Sequence, residues 1–138
     1  LNVFTEAFHN RLSTDTALTD LLADYNGNSG VFSGDLVPED ATPPYVLIGE
    51  DVSNESFDTK NSFGREIIRY IYCYDNDQGG HSTVDLITER VRMLLHRHKL
   101  VITGFENAML CTASLLSVPY EKGFYGKIVS IRLIAMEV

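Results

Sequence analysis

The run Pro43-Pro44-Tyr45-Val46-Leu47-Ile48-Gly49 constrains this chain more than any other stretch. Two adjacent prolines stiffen the approach and exclude helix before Tyr45. The short apolar run behind them then reads as a strand entering the core. Val31-Phe32 and Val37-Pro38 lead up to it. Two helical segments precede this block, and a long two-sided strand, one helix and two further strands follow it.

Residues 3–13 read as a helix with Val3, Phe4, Ala7, Phe8 and Leu12 on one face. Ser13 to Asp15 supply an N-cap for a second short helix lined by Leu18, Leu21 and Leu22. Asn26-Gly27-Asn28-Ser29-Gly30 ends it in turn residues, Val31-Phe32 forms a short edge strand, and Ser33 to Thr42 is loop. The first long strand spans about 44–52, Asp51 to Lys60 reads as a long hairpin tip, and the polar stretch 51–62 is expected to be ordered by a partner.

The second long strand spans about 63–74. Ile67, Ile71 and Cys73 point one way, and Ile68, Tyr70, Tyr72 and Tyr74 the other. With both faces apolar or aromatic, this strand is central and covered on both sides. The chain's own helices form one cover, and a neighbouring subunit is the expected second.

Asp75 to Gly80 reads as a turn. Ser82 caps the main helix, about 82–98, on which Val84, Ile87, Val91 and Leu94 repeat at helical spacing beside Leu95. Arg90, Arg92, Arg97 and Lys99 gather toward its C-terminus, where the helix dipole favours cations. Leu100-Val101-Ile102 leads to Gly104 and a strand at about 106–118, ended by Pro119. Gly123 and Gly126 frame a turn before the last strand, about 127–137. The fold class is therefore α/β (α+β). One mixed, mainly antiparallel sheet of about four to five strands is packed by a long central helix and the N-terminal helices. Residues 1–138 form a single domain.

Charge is unevenly placed. Residues 1–58 hold eleven acids and one base, a net of −10, and residues 59–138 hold eight acids and ten bases, a net of +2. A chain of net charge −8 repels a nucleic-acid backbone. The asymmetry suits a subunit whose acidic surface meets a neighbour's basic one, and equally a merely soluble surface. No apolar stretch approaches the ~20 residues of a membrane helix. Leu1-Asn2-Val3 leads into an amphipathic helix in place of a signal peptide's basic patch and apolar block. Leu1 in place of Met reads as a trimmed or incomplete start. The Asn54-Glu55-Ser56 sequon reads as chance without a secretion signal. Two cysteines, Cys73 and Cys111, each inside a strand, make neither a disulfide framework nor a metal spacing, and read as buried free thiols.

Candidate chemical motifs fail on spacing. Asp75-x-Asp77 lacks a calcium loop's later ligands: Gly79 stands fifth and Leu86 twelfth. His96-x-His98, with His81 nearby, places helix ligands two apart, where they diverge, and reads as solvated histidines at a helix end. Gly123-Phe124-Tyr125-Gly126-Lys127 lacks the first glycine of a phosphate loop, with Glu121 there, and the hydroxyl after its lysine, with Ile128 there. No nucleophile elbow and no dinucleotide fingerprint occur. The basic cluster at 90–99 lacks interleaved aromatics for base stacking, and pairing with the acidic N-terminal half accounts for it better. No catalytic, cofactor-binding or metal residue is assigned, and the chain is not read as an enzyme.

The ordered layout resembles the phage tail-completion or tail terminator family of long non-contractile tails and gene-transfer agents. The residues that carry the resemblance are Leu18, Leu21 and Leu22, then Val31-Phe32, then Pro43-Pro44-Tyr45-Val46. Tyr72-Cys73-Tyr74, the helix 82–98 and Leu100-Val101-Ile102-Thr103-Gly104 complete it, whereas the segment around Pro119-Tyr120-Glu121 fits less well. The resemblance implies a structural virion protein that caps the tail tube as a hexameric ring. The ring ends tube polymerisation at the length set by the tape measure protein and offers a joining surface to the head-side connector or stopper. Its implied partners are further copies of itself, the major tail tube protein and the connector. DNA would pass through the lumen without sequence-specific binding, past acidic loops at Asp35, Glu39 and Asp40. No cofactor and no membrane are implied, and the implied place is the head-proximal end of the virion tail, with assembly in the host cytoplasm. A ring needs a heterologous interface, one patch meeting a different patch. Rival readings are another neck or tail-tube component, a small hydrolase or metal-dependent enzyme, and an adaptor binding peptides at a sheet edge.

Overall fold

A computed structural model describes residues 3–34, 37–76, 80–117 and 124–138. The elements run α1 (Val3–Ser13), α2 (Thr16–Thr19), β1 (Asp24–Tyr25), β2 (Asn28–Ser29), β3 (Val31–Ser33), β4 (Tyr45–Ser56), β5 (Gly64–Asn76), α3 (Gly80–Leu95), β6 (Phe105–Ser117) and β7 (Phe124–Glu137). A five-stranded sheet has the order β3-β4-β5-β7-β6. β3 lies parallel to β4, and the other neighbours are antiparallel. The mixed, mainly antiparallel sheet packed by helices matches the class expected from sequence.

The two layers follow from two periodicities. On α1, Phe4, Ala7, Phe8 and Leu12 are buried at helical spacing; on α3, Val84, Ile87, Val91, Leu94 and Leu95 are. On β5, Ile67, Ile71 and Cys73 are buried at strand spacing, and so are Val129, Ile131 and Leu133 on β7. These side chains, Val84 apart, meet in one core on one face of the sheet. Burying each large aliphatic stabilises by roughly 1.5–3 kcal/mol. Polar clamps fix the helices on that core. Asp15 caps α2 by accepting from Leu18 N at 2.9 Å, and it takes two bonds from Arg90 of α3 at 2.7 and 2.8 Å. Arg11 Nε donates to Leu94 O at 2.9 Å, and Lys127 Nζ lies 2.5 Å from Asp85 Oδ1.

Several local expectations are corrected. The second helix keeps only Thr16–Thr19, leaving Leu21 and Leu22 beyond it. The segment 26–30 ends no helix. Asn26 and Gly27, with φ of 50° and 83°, turn a small β1–β2 hairpin, because a two-residue loop needs positive φ at both positions. β4 runs to Ser56 instead of stopping at 52, since Asn54, Glu55 and Ser56 pair with Ile67, Glu66 and Arg65; the tip is residues 57–63. Asp75 and Asn76 belong to β5 and Gly80 to α3, and Ser82 lies inside α3, where it cannot be its N-cap. Gly126 lies within β7, not in a turn. Asp35, Asp77, Gly79, Pro119 and Gly123 fall outside the described residues.

No helix among the described residues is long and apolar enough to cross a membrane. Both cysteines are buried and free. Cys73 pairs across to Lys127, whereas Cys111 lies near the Met109–Ile134 and Thr112–Arg132 pairs, beyond the intervening β7. At ~3.3 Å per residue along a strand, they are far too distant for a disulfide.

Candidate functional site, an open aromatic sheet face

Helices α1 and α3 pack the same face of the sheet, and among the described residues the opposite face is left to its own side chains. On β5 that face carries Ile68, Tyr70, Tyr72 and Tyr74, all half-buried. Among the described residues only the α1/α3 side is sheathed, which is the cover expected from the chain's own helices; the second cover was expected from a neighbouring subunit.

Strand register brings further rings alongside. Tyr45 pairs with Tyr74, Leu47 with Tyr72, and Phe32 of β3 with Leu47. The result is a continuous file of six rings from the β3 edge to the sheet centre. Successive centroids are 5.5 Å apart for Tyr25–Phe32, 5.9 Å for Phe32–Tyr45, 5.8 Å for Tyr45–Tyr74, 6.2 Å for Tyr74–Tyr72 and 6.4 Å for Tyr72–Tyr70. These spacings lie in the range of favourable aromatic pairs. Burial pushes the Tyr45 phenol above its ordinary range, and the Asp40 carboxylate does the same for Tyr25, whose hydroxyl donates to it at 2.8 Å. Asp40, expected on a DNA-facing loop, is thus engaged at the edge of the aromatic file.

Two glycines let the rings lie on the sheet. A Cβ on Gly126 would stand 2.7 and 2.8 Å from Tyr74 ring carbons, and one on Gly49 would stand 3.1 Å from the Tyr72 ring and 3.0 Å from Tyr70 O. Gly34, Leu47, Gly49, Glu50, Tyr72 and Tyr74 line a shallow cleft of about 370 Å³ on this face. Exposed Glu50 gives its rim a negative charge. Further across, Ile128 pairs with Tyr72 and Leu116, and Leu116 is 42% exposed. Arg132 of β7 pairs with Glu66 at 2.9 Å, so the sheet's own cation here is matched by its own acid. An aromatic face with an acidic rim suits a protein surface, not a phosphate backbone.

The opposite side of the molecule has its own anomaly. The outer surface of α3 should be polar, yet Leu86 and Met93 are 59% and 56% exposed. Arg92 lies 3.9 Å from Glu89, and Arg97 and Lys99 are exposed where α3 ends.

The sequence-level chemical candidates do not converge. His96 is not simply solvated: its Nδ1 accepts from Ala113 N at 3.1 Å, while Arg97 N donates to Cys111 O at 2.7 Å, so the end of α3 covers the bulged edge of β6. His98 Nδ1 lies 2.9 Å from His96 O. Asp75 is buried and its Oδ1 accepts from Asn76 N at 2.8 Å. Among the described residues no group of three or more His, Cys, Asp or Glu side chains is placed to hold a metal. Sequence reasoning did not anticipate Gly49 and Gly126 as seats for rings. Gly126 stands directly across from Tyr74, whereas Gly49 lies in a bulge with no paired residue.

No family model matches the chain, and no curated protein matches it. Among solved structures it is similar to a chain described as "Virion of native gene transfer agent (GTA) particle". The TM-score is 0.76 at 17% identity, over 96% of this chain and 93% of that one, which is a likeness of fold.

Proposed function

We propose that this chain is a structural component of a phage-like virion that caps the tail tube as a six-membered ring. It ends tube polymerisation and presents a joining surface to the head-side connector. The observation that carries the reading is the whole-chain likeness of fold to a chain of a gene transfer agent virion. The aromatic face supports it, because a two-layer subunit with one unsheathed apolar sheet face is built to be covered by something else. The charge imbalance supports it too, since a ring joins unlike patches. In this reading the role is assembly, not catalysis. The partners are further copies of the chain, the tail tube protein and the connector, with the tape measure protein setting the length at which capping occurs.

The test is tube capping. Purified protein is mixed with polymerising tail tube protein, and tube lengths and ends are imaged by electron microscopy with the protein gold-labelled. The reading predicts label at one end only and arrested growth. Label along the walls would favour a tube component, and label on head-side connectors alone would favour a neck component; either would overturn the capping role.

A further inference from the structure

We infer that the acidic turn at residues 38–41 of one copy docks in a basic cleft beside α1 of a second copy, in a head-to-tail contact. The contact deepens the ring proposed above and rests on it.

The turn carries two acids without a cation. Residues 12–59 contain no lysine, arginine or histidine. Asp15 and Asp51 of that stretch find Arg90 and Arg69, whereas Glu39 and Asp40 form no ion pair among the described residues. Both are exposed, at the tip of a turn closed by Ala41 N donating to Pro38 O at 3.0 Å. The Tyr25 hydroxyl donates to Asp40 Oδ1 at 2.8 Å and ties the tip to the β1–β2 hairpin. Asp40 Oδ2 is left to accept from elsewhere, and a tip already held loses little freedom on docking.

The cleft holds the opposite excess. Arg11 and Lys99, with Glu6, Asn10, Val101 and Thr103, line a space of about 450 Å³. Arg11 Nε donates to Leu94 O at 2.9 Å, which anchors that guanidinium. Arg69, Arg90, Arg92, Lys127 and Arg132 each have an acid, but among the described residues Arg11 and Lys99 have none. Glu6 is the one acid among the described lining residues. Two cations less one acid leave the cleft at +1, facing the −2 of Glu39 and Asp40. Arg97 and His98 stand exposed beside Lys99 in sequence and add to the same sign.

The two sites sit at opposite edges of the sheet. Pro38 lines a cleft with Val31 and Phe32 of β3, and the Tyr25 ring packs on Phe32. Leu100, next to Lys99, is bonded through its N–H and C=O to the Asn107 side chain of β6 at 3.4 and 2.6 Å. β3 and β6 are the two edge strands, four strand spacings or roughly 19 Å apart. The turn of one copy therefore does not reach its own cleft, and the two meet only between copies. A contact between unlike patches of identical subunits repeats from copy to copy and ends only when a ring closes. Each site also has an apolar neighbour: exposed Pro38 precedes the two acids, and Val101, 92% exposed, lines the cleft. Charges bordering an apolar contact are the composition of an interface rim.

The experiment exchanges the charges in the full chain. The turn variant carries Glu39→Lys and Asp40→Lys, and the cleft variant carries Arg11→Glu and Lys99→Glu. Where a pair fails to fold, the exposed single changes Glu39→Lys and Lys99→Glu replace it. Native mass is measured for each variant, for their equimolar mixture and for a chain with both sets, in solution and on tube ends. Each variant alone sets like charges together, and its self-affinity should fall at least about 10-fold. The mixture should recover assembly, because the basic turn of one variant meets the acidic cleft of the other and an even-membered ring accommodates the alternation. The chain with both sets should recover it too. Variants that assemble like the parent overturn this contact and leave the ring standing. A mixture and a doubly exchanged chain that both stay monomeric also overturn it, since loss without complementation is not loss of this charge pairing. A parent chain that self-associates neither in solution nor on tube ends removes the ring and the contact together.

Discussion

Arg69 and Asp51 form a largely internal ion pair, with Arg69 Nε 2.5 Å from Asp51 Oδ1. The arginine side chain is fully buried and the aspartate mostly so. Its Nη1 donates to the Thr5 hydroxyl and to Gly49 O, and the guanidinium lies 6.0 Å from the Phe8 ring centroid, so one side chain ties α1 to β4 and β5. Bulges in β4 make the pair possible. Ile48 pairs with Ile71 but Asp51 with Arg69, so one extra residue on β4 turns Asp51, not Glu50, toward the core. Among the described residues Arg69 Nη2 has no hydrogen-bond partner, which makes the remaining bonds harder to lose. Asp51→Ala should therefore cost roughly 3 kcal/mol in urea unfolding, the cost of leaving a buried charge unpaired. Arg69→Met should cost less, because it leaves no buried cation.

Acid should loosen the joint between α2 and α3. Hydrogen bonds from Arg90, with the Leu18 N–H, hold the Asp15 carboxyl below its ordinary value of 3.8 against an opposing effect of burial. A depressed folded-state pKa stabilises the fold above the unfolded value, and that contribution is lost as pH falls through the folded one. Asn is also a good N-cap, so Asp15→Asn removes the charge and keeps the cap. Melting temperatures taken from neutral pH downward should show the parent above the variant, with the gap closing below about pH 4. A gap independent of pH would contradict this.

The thiols should be silent in the folded chain. Burial pushes Cys73 and Cys111 up to about 12. The thiolate is the reactive form. Alkylation by iodoacetamide at neutral pH should proceed at least about 100-fold more slowly in the native protein than in urea. Mass spectrometry of the modified peptides measures both sites.

The seat of Tyr74 can be tested on its own. Gly126→Ala places a methyl group against that ring, which must shift or lift. The expected cost is about 1–3 kcal/mol, the usual penalty for overpacking. The near-ultraviolet circular dichroism of the stacked Tyr72–Tyr74 pair, whose planes differ by 1°, should change with it.

Much of this fold is legible in the sequence because strong periodicity reports burial. Phe4, Phe8 and Leu12 announce α1, and the alternation from Ile67 to Tyr74 announces a central strand with two different faces. Polar strand ends are harder to read. Asn54, Glu55 and Ser56 look like loop, yet they pair across to Ile67, Glu66 and Arg65, whose backbones supply what their side chains do not. The burial of Arg69 is not legible, because nothing local says that a bulge eighteen residues upstream will bury an aspartate beside it. The aromatic file is half legible: the tyrosines of β5 stand out, whereas Tyr25, Phe32 and Tyr45 join them only through register. His96 reads as solvated for the same reason, since its partner is a backbone N–H seventeen residues on.

The most direct test of the central claim is native mass across a wide concentration range, repeated with tail tube ends present. The account predicts a six-membered assembly, formed in solution or on the tube. A discrete dimer at every concentration, unchanged by tube ends, would contradict it.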